Sequence, residues 1–331
     1  MLHYITHRFL YMLLLMVLVS AASFVIIQLP PGDYLSLYIR QLEMSGQLVD
    51  ASEIESLKRQ YGLDLSPPLQ YLKWVSGMFY GDFGQSLQWN RPVSELIGER
   101  LVLTVTVNVF TLLFTYIVAM MIGIYSALRQ YSIADYAFTI VGFIGLATPN
   151  FLLALILMVI CHNYFGLSVG GLFSQEYVFA PWSWGRFVDM LSHLPIPIIV
   201  IGTASTAGLI RVMRGSLLDE LRKQYVITAR TKGLSERKLL FKYPVRVAVN
   251  PVVSTVGYVL PGIISGGAVT AIVLSLPTVG PLLYRALLSE DMFLAGTLVM
   301  LLSFLTIVGT FISDLLLVWL DPRIRFERTS R

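Results

Sequence analysis

Long apolar segments dominate the sequence and limit what the chain can fold into. Of its 331 residues, 56% are hydrophobic and 13% are charged, which is far from the composition of a soluble domain. About 20 apolar residues suffice for a helix to cross a bilayer. Six spans are predicted, at about residues 9–29, 101–128, 136–162, 194–210, 252–276 and 292–320. Because lipid offers the backbone no hydrogen bonds, such spans fold as helices. The sequence therefore predicts an all-α, polytopic membrane protein with six transmembrane helices.

Lysine and arginine are distributed unevenly among the segments that connect the spans. Sixteen of the 24 lie on the side of the N-terminus, and ten of these lie between Arg211 and Arg246. The short connections on the other side hold only Arg186 and Arg285. Basic residues are enriched in cytoplasmic loops, and long segments weigh little in this comparison. Both termini are therefore predicted to be cytoplasmic, and the net charge of +4 reflects membrane orientation rather than nucleic-acid binding.

Four parts are predicted along the chain. Residues 1–30 form the first transmembrane helix, which we interpret as retained rather than as a cleaved signal peptide because its apolar run is long enough to span. Residues 31–100 form an extracytoplasmic helical insert. Residues 101–322 form a core with five transmembrane helices and a basic loop at 221–243. Residues 323–331 form a cytoplasmic tail.

The insert carries two helix patterns. The capping sequence Ser52-Glu-Ile-Glu55 and the glycine at position 62 predict a helix between them. A second helix is predicted from about Pro68. Its apolar residues are expected to face inward; they are Leu69, Leu72, Val75 and Phe79.

A helix–glycine–helix elbow is predicted within the basic loop. The segment Tyr225–Leu234 has helical character, and Gly233 can take the left-handed conformation that ends a helix. The hydroxyl of Ser235 is expected to cap a second helix, and Glu236 places negative charge at its positive end. On charge alone, the same stretch could be a solvated basic surface.

This elbow resembles the cytoplasmic coupling loop of ABC-importer permeases, in the form found in the dipeptide/oligopeptide subfamily (B-type subunit). The match is carried by Tyr225, Thr228, Ala229, Arg230, Lys232, Gly233 and Leu234, with Ser235 following. Further strings resemble the same subfamily, in order: Pro31-Gly-Asp33, Gly81-Asp-Phe-Gly-Gln-Ser86, Arg91-Pro-Val93 and Asp321-Pro-Arg323. The chain departs from the wider superfamily pattern at Ile227 and Thr228, and from the peptide branch at Pro244.

The resemblance implies a type I ABC importer permease fold in a bacterial or archaeal cytoplasmic membrane. It implies four kinds of partner besides membrane lipid: a second, homologous permease subunit, two ATPase subunits that bind the ATP, and an extracytoplasmic substrate-binding protein. Peptides are the first substrate class it suggests. Oligosaccharides, opines and nickel are carried by the same branch and stay open.

Polar and helix-bending residues are candidates for the lining of a translocation pathway. They are Asn108, Gly257, Pro261, Gly262, Ser265 and Thr270. The glycines of the fifth span are equally consistent with tight helix packing. A proline there removes one backbone hydrogen bond and favours bending.

Catalytic chemistry has little support in the sequence. The phosphate-binding pattern Gly-x-x-x-x-Gly-Lys-[Ser/Thr] does not occur, so neither ATP nor any other cofactor is expected on this chain. Cys161 is the single cysteine, and His162 and His193 are predicted at helix ends rather than at a metal site. Asp314, inside the sixth span near its cytoplasmic end, is predicted to be a helix-end or partner-paired carboxylate. A secondary transporter or a membrane enzyme is the alternative function, and both would need buried ionisable groups.

The predicted topology can be tested by labelling in intact cells. In a Cys161-free background, Ser235→Cys is expected to resist a membrane-impermeant thiol reagent, because the charge distribution places 211–246 inside. A cysteine in 163–193 serves as the externally accessible control. Labelling of Ser235→Cys from outside would contradict the topology.

Overall fold

The computed structural model describes residues 2–28, 59, 65–86, 88–89, 91–166 and 169–320. Four sequence predictions lie outside these residues. They are the insert helix between Ser52 and Gly62, of which only Arg59 is described, the strings Pro31–Asp33 and Asp321–Arg323, and the tail at 323–331.

Helices make up nearly all of the described part. They are α1 (Leu2–Gln28), α2 (Pro67–Phe79), α3 (Val93–Leu128), α4 (Ile133–Ala147), α5 (Asn150–Phe165), α6 (Trp184–His193), α7 (Pro195–Leu221), α8 (Gln224–Thr231), α9 (Glu236–Lys242), α10 (Pro244–Ser254), α11 (Val256–Val273), α12 (Val279–Leu288) and α13 (Met292–Leu320). Two short strands, β1 (Gln85–Ser86) and β2 (Arg91–Pro92), form an antiparallel hairpin between α2 and α3.

Four helices are long and apolar enough to cross a membrane: the Thr6–Val25 part of α1, α3, α7 and the Met292–Leu316 part of α13. The pair α4–α5 makes a fifth candidate if it counts as one span. The fifth predicted span, residues 252–276, is divided between α10 and α11, with a shorter apolar stretch at Gly262–Val273. The count of six therefore stays a prediction, whereas the all-helical membrane architecture is confirmed. Helix α7 begins where the fourth span was predicted and continues eleven residues beyond Ile210.

The third predicted span is not one straight helix. Helices α4 and α5 meet at an angle of 110°. Thr148 ends α4 in an extended conformation, and Pro149 precedes α5. A proline forces the residue before it out of the helical region and cannot donate a backbone hydrogen bond. The apolar composition of 136–162 gave no sign of this break, and a crossing of the membrane by this segment stays a prediction.

Two compact units are formed by the chain: Met1–Arg8, Val105–Leu276 and Val308–Arg331 in the larger, and Phe9–Thr104 and Pro277–Ile307 in the smaller. The larger unit is organised around α7, which packs against α4, α5, α10 and α11. On α7, Met213 and Leu217 are fully buried, together with Val252 of α10. Helix α3 approaches very closely at Gly123, where an added Cβ would lie 2.7 Å from the Cβ of Met213.

The smaller unit has its own core between α3, α12 and α13, formed by residues such as Val93, Leu282 and Leu298. Its polar centre is Asp291, which is completely buried. One carboxylate oxygen of Asp291 accepts from the Ser86 hydroxyl (2.5 Å) and the Gln88 amide (3.3 Å), and the other accepts from the Leu294 amide (3.2 Å). Asp291 thus caps α13 and holds the hairpin against it.

Helix α2 forms where the sequence predicted it but presents a different face. Trp74 is the buried residue, and Tyr71 and Trp74 both pack on Phe24 of α1, with ring centroids 5.4 and 6.0 Å away. The Tyr71 hydroxyl also hydrogen-bonds to Ser20 at 2.8 Å. In contrast, Leu69, Leu72 and Phe79 are exposed, so their predicted inward orientation was wrong. Large aromatic side chains bury more area than leucine, which explains why the aromatic face is the buried one.

Two ion pairs involve charged residues of the candidate spans. Arg8 lies 2.9 Å from the carboxylate of Asp314, so this aspartate is paired, which is one of the two predicted alternatives. Asp135, at the start of α4, forms a two-pronged ion pair with Arg214 of α7 at 3.0 and 2.8 Å. A charge transferred from water to a low-dielectric region is costly unless it is paired, so both ion pairs are what the environment requires.

His162 and His193 occupy helix ends, as predicted. His162 is in the last turn of α5, and His193 is the final residue of α6. Across the described part of the chain, no group of three His, Cys, Asp or Glu side chains lies close enough to hold a metal ion.

Candidate functional site

The basic loop between α7 and α10 folds as two short helices, α8 and α9, joined at Gly233. Gly233 has φ +76, the left-handed conformation that glycine adopts without strain. Its amide donates to the Arg230 carbonyl at 3.0 Å, and the Lys232 amide donates to the Thr228 carbonyl at 3.2 Å. The predicted helix–glycine–helix geometry is therefore present, and the term elbow is used below for residues 224–242.

The elbow has a small apolar core of its own. Val226 is fully buried, and Ala229 and Leu239 are 6% and 1% exposed. Leu234 and Tyr243 pack against these three from the turn and from the end of α9. Because residues of both helices share this core, the elbow is held as one body rather than as two independent helices. The small side chain at Ala229 fits a position where α8 and α9 contact each other.

An ion pair closes the elbow on its surface. The Arg230 guanidinium donates to the Glu236 carboxylate through two nitrogens, at 2.7 and 3.2 Å. This hydrogen bond raises the pKa of Arg230 and lowers the pKa of Glu236. A carboxylate with a lowered pKa contributes stability at neutral pH and loses it as the pH falls through that pKa. Both side chains are exposed to solvent, so the pair sets geometry more than stability.

Ser235 departs from its predicted role. It occupies the position before α9 with extended backbone, but its hydroxyl makes no capping hydrogen bond. Its carbonyl accepts from the Leu239 amide at 2.9 Å. Since this end of α9 is exposed, water can satisfy the free amides, and the negative charge that the helix end favours comes from Glu236.

The elbow is attached firmly to the helix that precedes it. The Tyr225 hydroxyl donates to the Glu220 carboxylate near the end of α7. Partial burial of the hydroxyl and this hydrogen bond raise the pKa of Tyr225 to about 12, so the donor proton is retained at any physiological pH. The resemblance identified Tyr225 but not its partner. Glu220 reaches Tyr225 only because the turn between α7 and α8 brings the two side chains together.

The elbow is attached to the following helix as well. Pro244, which departs from the family pattern, is the first residue of α10, a position where its missing N–H costs nothing. Leu240 of α9 joins the core that α7 and α10 share, next to Val245 and Leu217. Both arms of the elbow therefore lead into helices that are packed against each other.

The candidate pathway residues are only partly brought together. Gly257, Gly262 and Thr270 lie along α11, whereas Asn108 lies on α3. Thr270 is 1% exposed and its hydroxyl has no hydrogen-bond partner. The side chains of Pro261 and Ser265 lie outside the described residues. The role of these positions in lining a pathway stays a prediction.

Sequence reasoning missed the role of the Gly-Asp-Phe-Gly-Gln-Ser string. Gly81 and Gly84 have φ +77 and +83, and the Gly84 amide donates to the Asp82 carboxylate at 2.9 Å. These turns bring Ser86 to the buried Asp291. The string is therefore a folded turn anchored to α13, and its anchor could not be recognised because 205 residues separate the two.

The fold and the elbow define a multi-pass membrane protein with a structured basic loop, and comparisons with known proteins assign its family. Residues 119–326 match the family described as binding-protein-dependent transport system inner membrane component. Residues 1–108 match the N-terminal region of such membrane components. The chain belongs to this family: it is a permease subunit of a binding-protein-dependent ABC importer, with the type I importer permease fold.

Similarity to curated relatives extends over almost the whole chain. The oligopeptide transport system permease protein AppB of Bacillus subtilis is 34% identical over 325 residues, covering 98% of this chain and 99% of the relative. A putative peptide permease protein of Brucella ovis is 33% identical over 330 residues, with the same coverage. The peptidoglycan transport system permease protein YejB of Agrobacterium fabrum is 28% identical over 361 residues, with 98% coverage of each.

The core of the elbow can be tested by trimming it. Val226→Ala removes two buried methyl groups and is expected to destabilise the elbow by about 2 kcal/mol. Amide exchange in residues 224–242 should then be roughly thirtyfold faster if opening is local. Ile227→Ala is the matched control, because Ile227 is 44% exposed. Equal exchange in the two variants would show that Val226 does not hold the helices together.

Proposed function

We propose that the elbow is the surface through which two partner ATPase subunits drive this permease. The observation that carries the proposal is its construction: α8 and α9 share one core, and the elbow is fastened to α7 by Tyr225 and to α10 through Leu240. A push on such a body moves both helices together. A flexible basic loop would absorb the same push.

Exposed side chains of the elbow suit a partner groove. Thr231, Lys232 and Arg237 are exposed polar residues, and Ile227 and Phe241 are exposed apolar ones, at 44% and 62%. Large apolar side chains at the surface of a loop favour burial against another protein. Arg230 is neutralised by Glu236, so it fixes the shape of the elbow surface and does not offer a free positive charge to the partner.

In the proposed mechanism, closure of the ATPases displaces the elbow and the helices attached to it. Their movement opens a pathway between two homologous permease subunits toward the external binding protein. Helix α11 packs against α7 and α5, so movement of α7 reaches Gly257, Gly262 and Thr270. Both termini and the elbow would be cytoplasmic, and an external binding protein would deliver the substrate on the opposite side.

Peptides are the proposed substrate, since the relatives described above are named for oligopeptide, peptide or peptidoglycan transport. Asp314 is paired with Arg8, so this acidic residue of the sixth span does not offer a fixed charge for a peptide terminus. Selectivity would then reside in the binding protein. The same pairing argues against a secondary transporter, which would need a carboxylate able to bind and release protons.

Gly233 provides the test of coupling. Gly233→Val is expected to abolish substrate-stimulated ATP hydrolysis and transport, because β-branched residues avoid positive φ. Gly233→Asn is the matched control: asparagine tolerates the left-handed conformation, and an added Cβ meets no atom within 4 Å. Both variants should insert and assemble, as judged by copurification of the partners.

Wild-type stimulation in Gly233→Val would mean that the elbow does not transmit the ATPase movement. Loss of activity in both variants would mean that a side chain itself is excluded at position 233, which contradicts the role assigned to backbone conformation. ATP hydrolysis by the purified chain without partners would contradict the proposal that the ATPase subunits alone hydrolyse ATP.

Substrate choice can be tested by exchanging parts of the importer. Replacing only the binding protein with that of a related system is expected to shift the range of transported peptides. Asn108→Ala, on α3, should alter the transport rate more than the range. If point changes at Asn108 or Thr270 redirect the substrate while the binding protein is unchanged, selectivity lies in the permease.

A further inference from the structure

A cavity opens between α4 and α7, and its lining contains no residue of the elbow or of α11. Its volume is about 200 Å³. The apolar part of its lining includes Phe138, Phe143 and Ile210, and the polar part includes Tyr136, Arg211 and Arg214. The cavity therefore joins an apolar surface to a cluster of hydrogen-bond donors.

The charge in this cavity is unbalanced. Asp135 and Arg214 neutralise each other through their two short hydrogen bonds. Arg211 has no ion-pair partner among the described residues, and its guanidinium lies 5.3 Å from the centre of the Phe143 ring. One positive charge therefore remains, held in place by an aromatic side chain and available to an anion.

The position of Arg211 along α7 matches the edge of a bilayer. Arg211 is 16 residues after Pro195 and 10 before Leu221, which at 1.5 Å per residue is about 24 and 15 Å. With a hydrocarbon thickness of about 30 Å, a guanidinium at this depth reaches the phosphate region by extending its side chain. It lies toward the end of α7 that leads into the elbow.

The surface around the cavity is suited to acyl chains. On α4, Ile140, Val141 and Ile144 are 58%, 66% and 61% exposed. Helix α4 faces away from α7 at these positions, since Gly142 on its other side lies next to Ala207. These three residues do not line the cavity; they form an exposed apolar face on the same helix, of the kind that lipid covers.

We propose that the cavity between α4 and α7 binds an anionic phospholipid, with Arg211 contacting the phosphate and the apolar lining contacting the first part of an acyl chain. Tyr136 is positioned to donate a further hydrogen bond to the headgroup. The bound lipid contacts both α4 and α7 beside the Asp135–Arg214 ion pair, and its phosphate neutralises the charge of Arg211.

Lipid titration of the purified, delipidated importer tests the proposal. The probes are phosphatidylglycerol, phosphatidylcholine and inorganic phosphate, and bound lipid is counted by native mass spectrometry. Arg211→Gln is expected to require about tenfold more phosphatidylglycerol for half occupancy of one site, as befits the loss of one charge-assisted contact. Arg222→Gln is the matched control, because Arg222 is exposed just beyond the end of α7 and does not line the cavity.

Support requires that wild type and Arg222→Gln retain one phosphatidylglycerol that Arg211→Gln loses. Should Arg211→Gln fail to assemble, Arg211→Lys keeps the charge but not the forked geometry and is expected to weaken binding about threefold. Equal binding in all variants, or equal binding of phosphatidylcholine, would overturn the proposal. Displacement of the lipid by inorganic phosphate would instead identify a free-phosphate site and also overturn it.

Discussion

Close packing of α7 against its neighbours is the interaction on which the larger unit depends. In lipid, water gives no drive to bury apolar side chains, so helices associate through shape and through the few polar contacts available to them. The approach of Gly123 to Met213 and the ion pair between Asp135 and Arg214 are these two kinds of contact. Helices α3, α4 and α10 therefore all pack against α7, and the elbow follows directly after the end of α7.

The elbow and the membrane helices follow different physical rules. Within the elbow, Val226, Ala229 and Leu239 pack as in a water-soluble protein. The exposed Arg230–Glu236 ion pair restricts the orientation of α9 relative to α8. A core of this size could not hold two short helices in place alone. It does so here because the covalent connections to α7 and α10 restrict the chain at both ends, which lowers the entropy lost on folding.

Local signals explain what the sequence predicted well. Gly233 could be assigned to a helix end from its own conformational freedom, and the apolar runs located the long helices. Ser235 was misjudged because capping depends on which groups water can reach, and the inward face of α2 was misjudged because Phe24 lies on another helix. The contacts of Asp135 with Arg214 and of Ser86 with Asp291 join distant parts of the chain, and no spacing within a single sequence encodes them.

The hydrogen bond between Ser86 and Asp291 also imposes an order on biosynthesis. A ribosome releases Ser86 long before Asp291, which lies 205 positions further along the chain. The hairpin of β1 and β2 therefore lacks its hydrogen bond to Asp291 while the chain as far as α12 is synthesised. Only when the start of α13 emerges can the carboxylate of Asp291 receive its donors. Helix α13 is thus required to complete the anchoring of a segment that is synthesised much earlier, and a product truncated before α13 would lack the acceptor for the Ser86 hydroxyl.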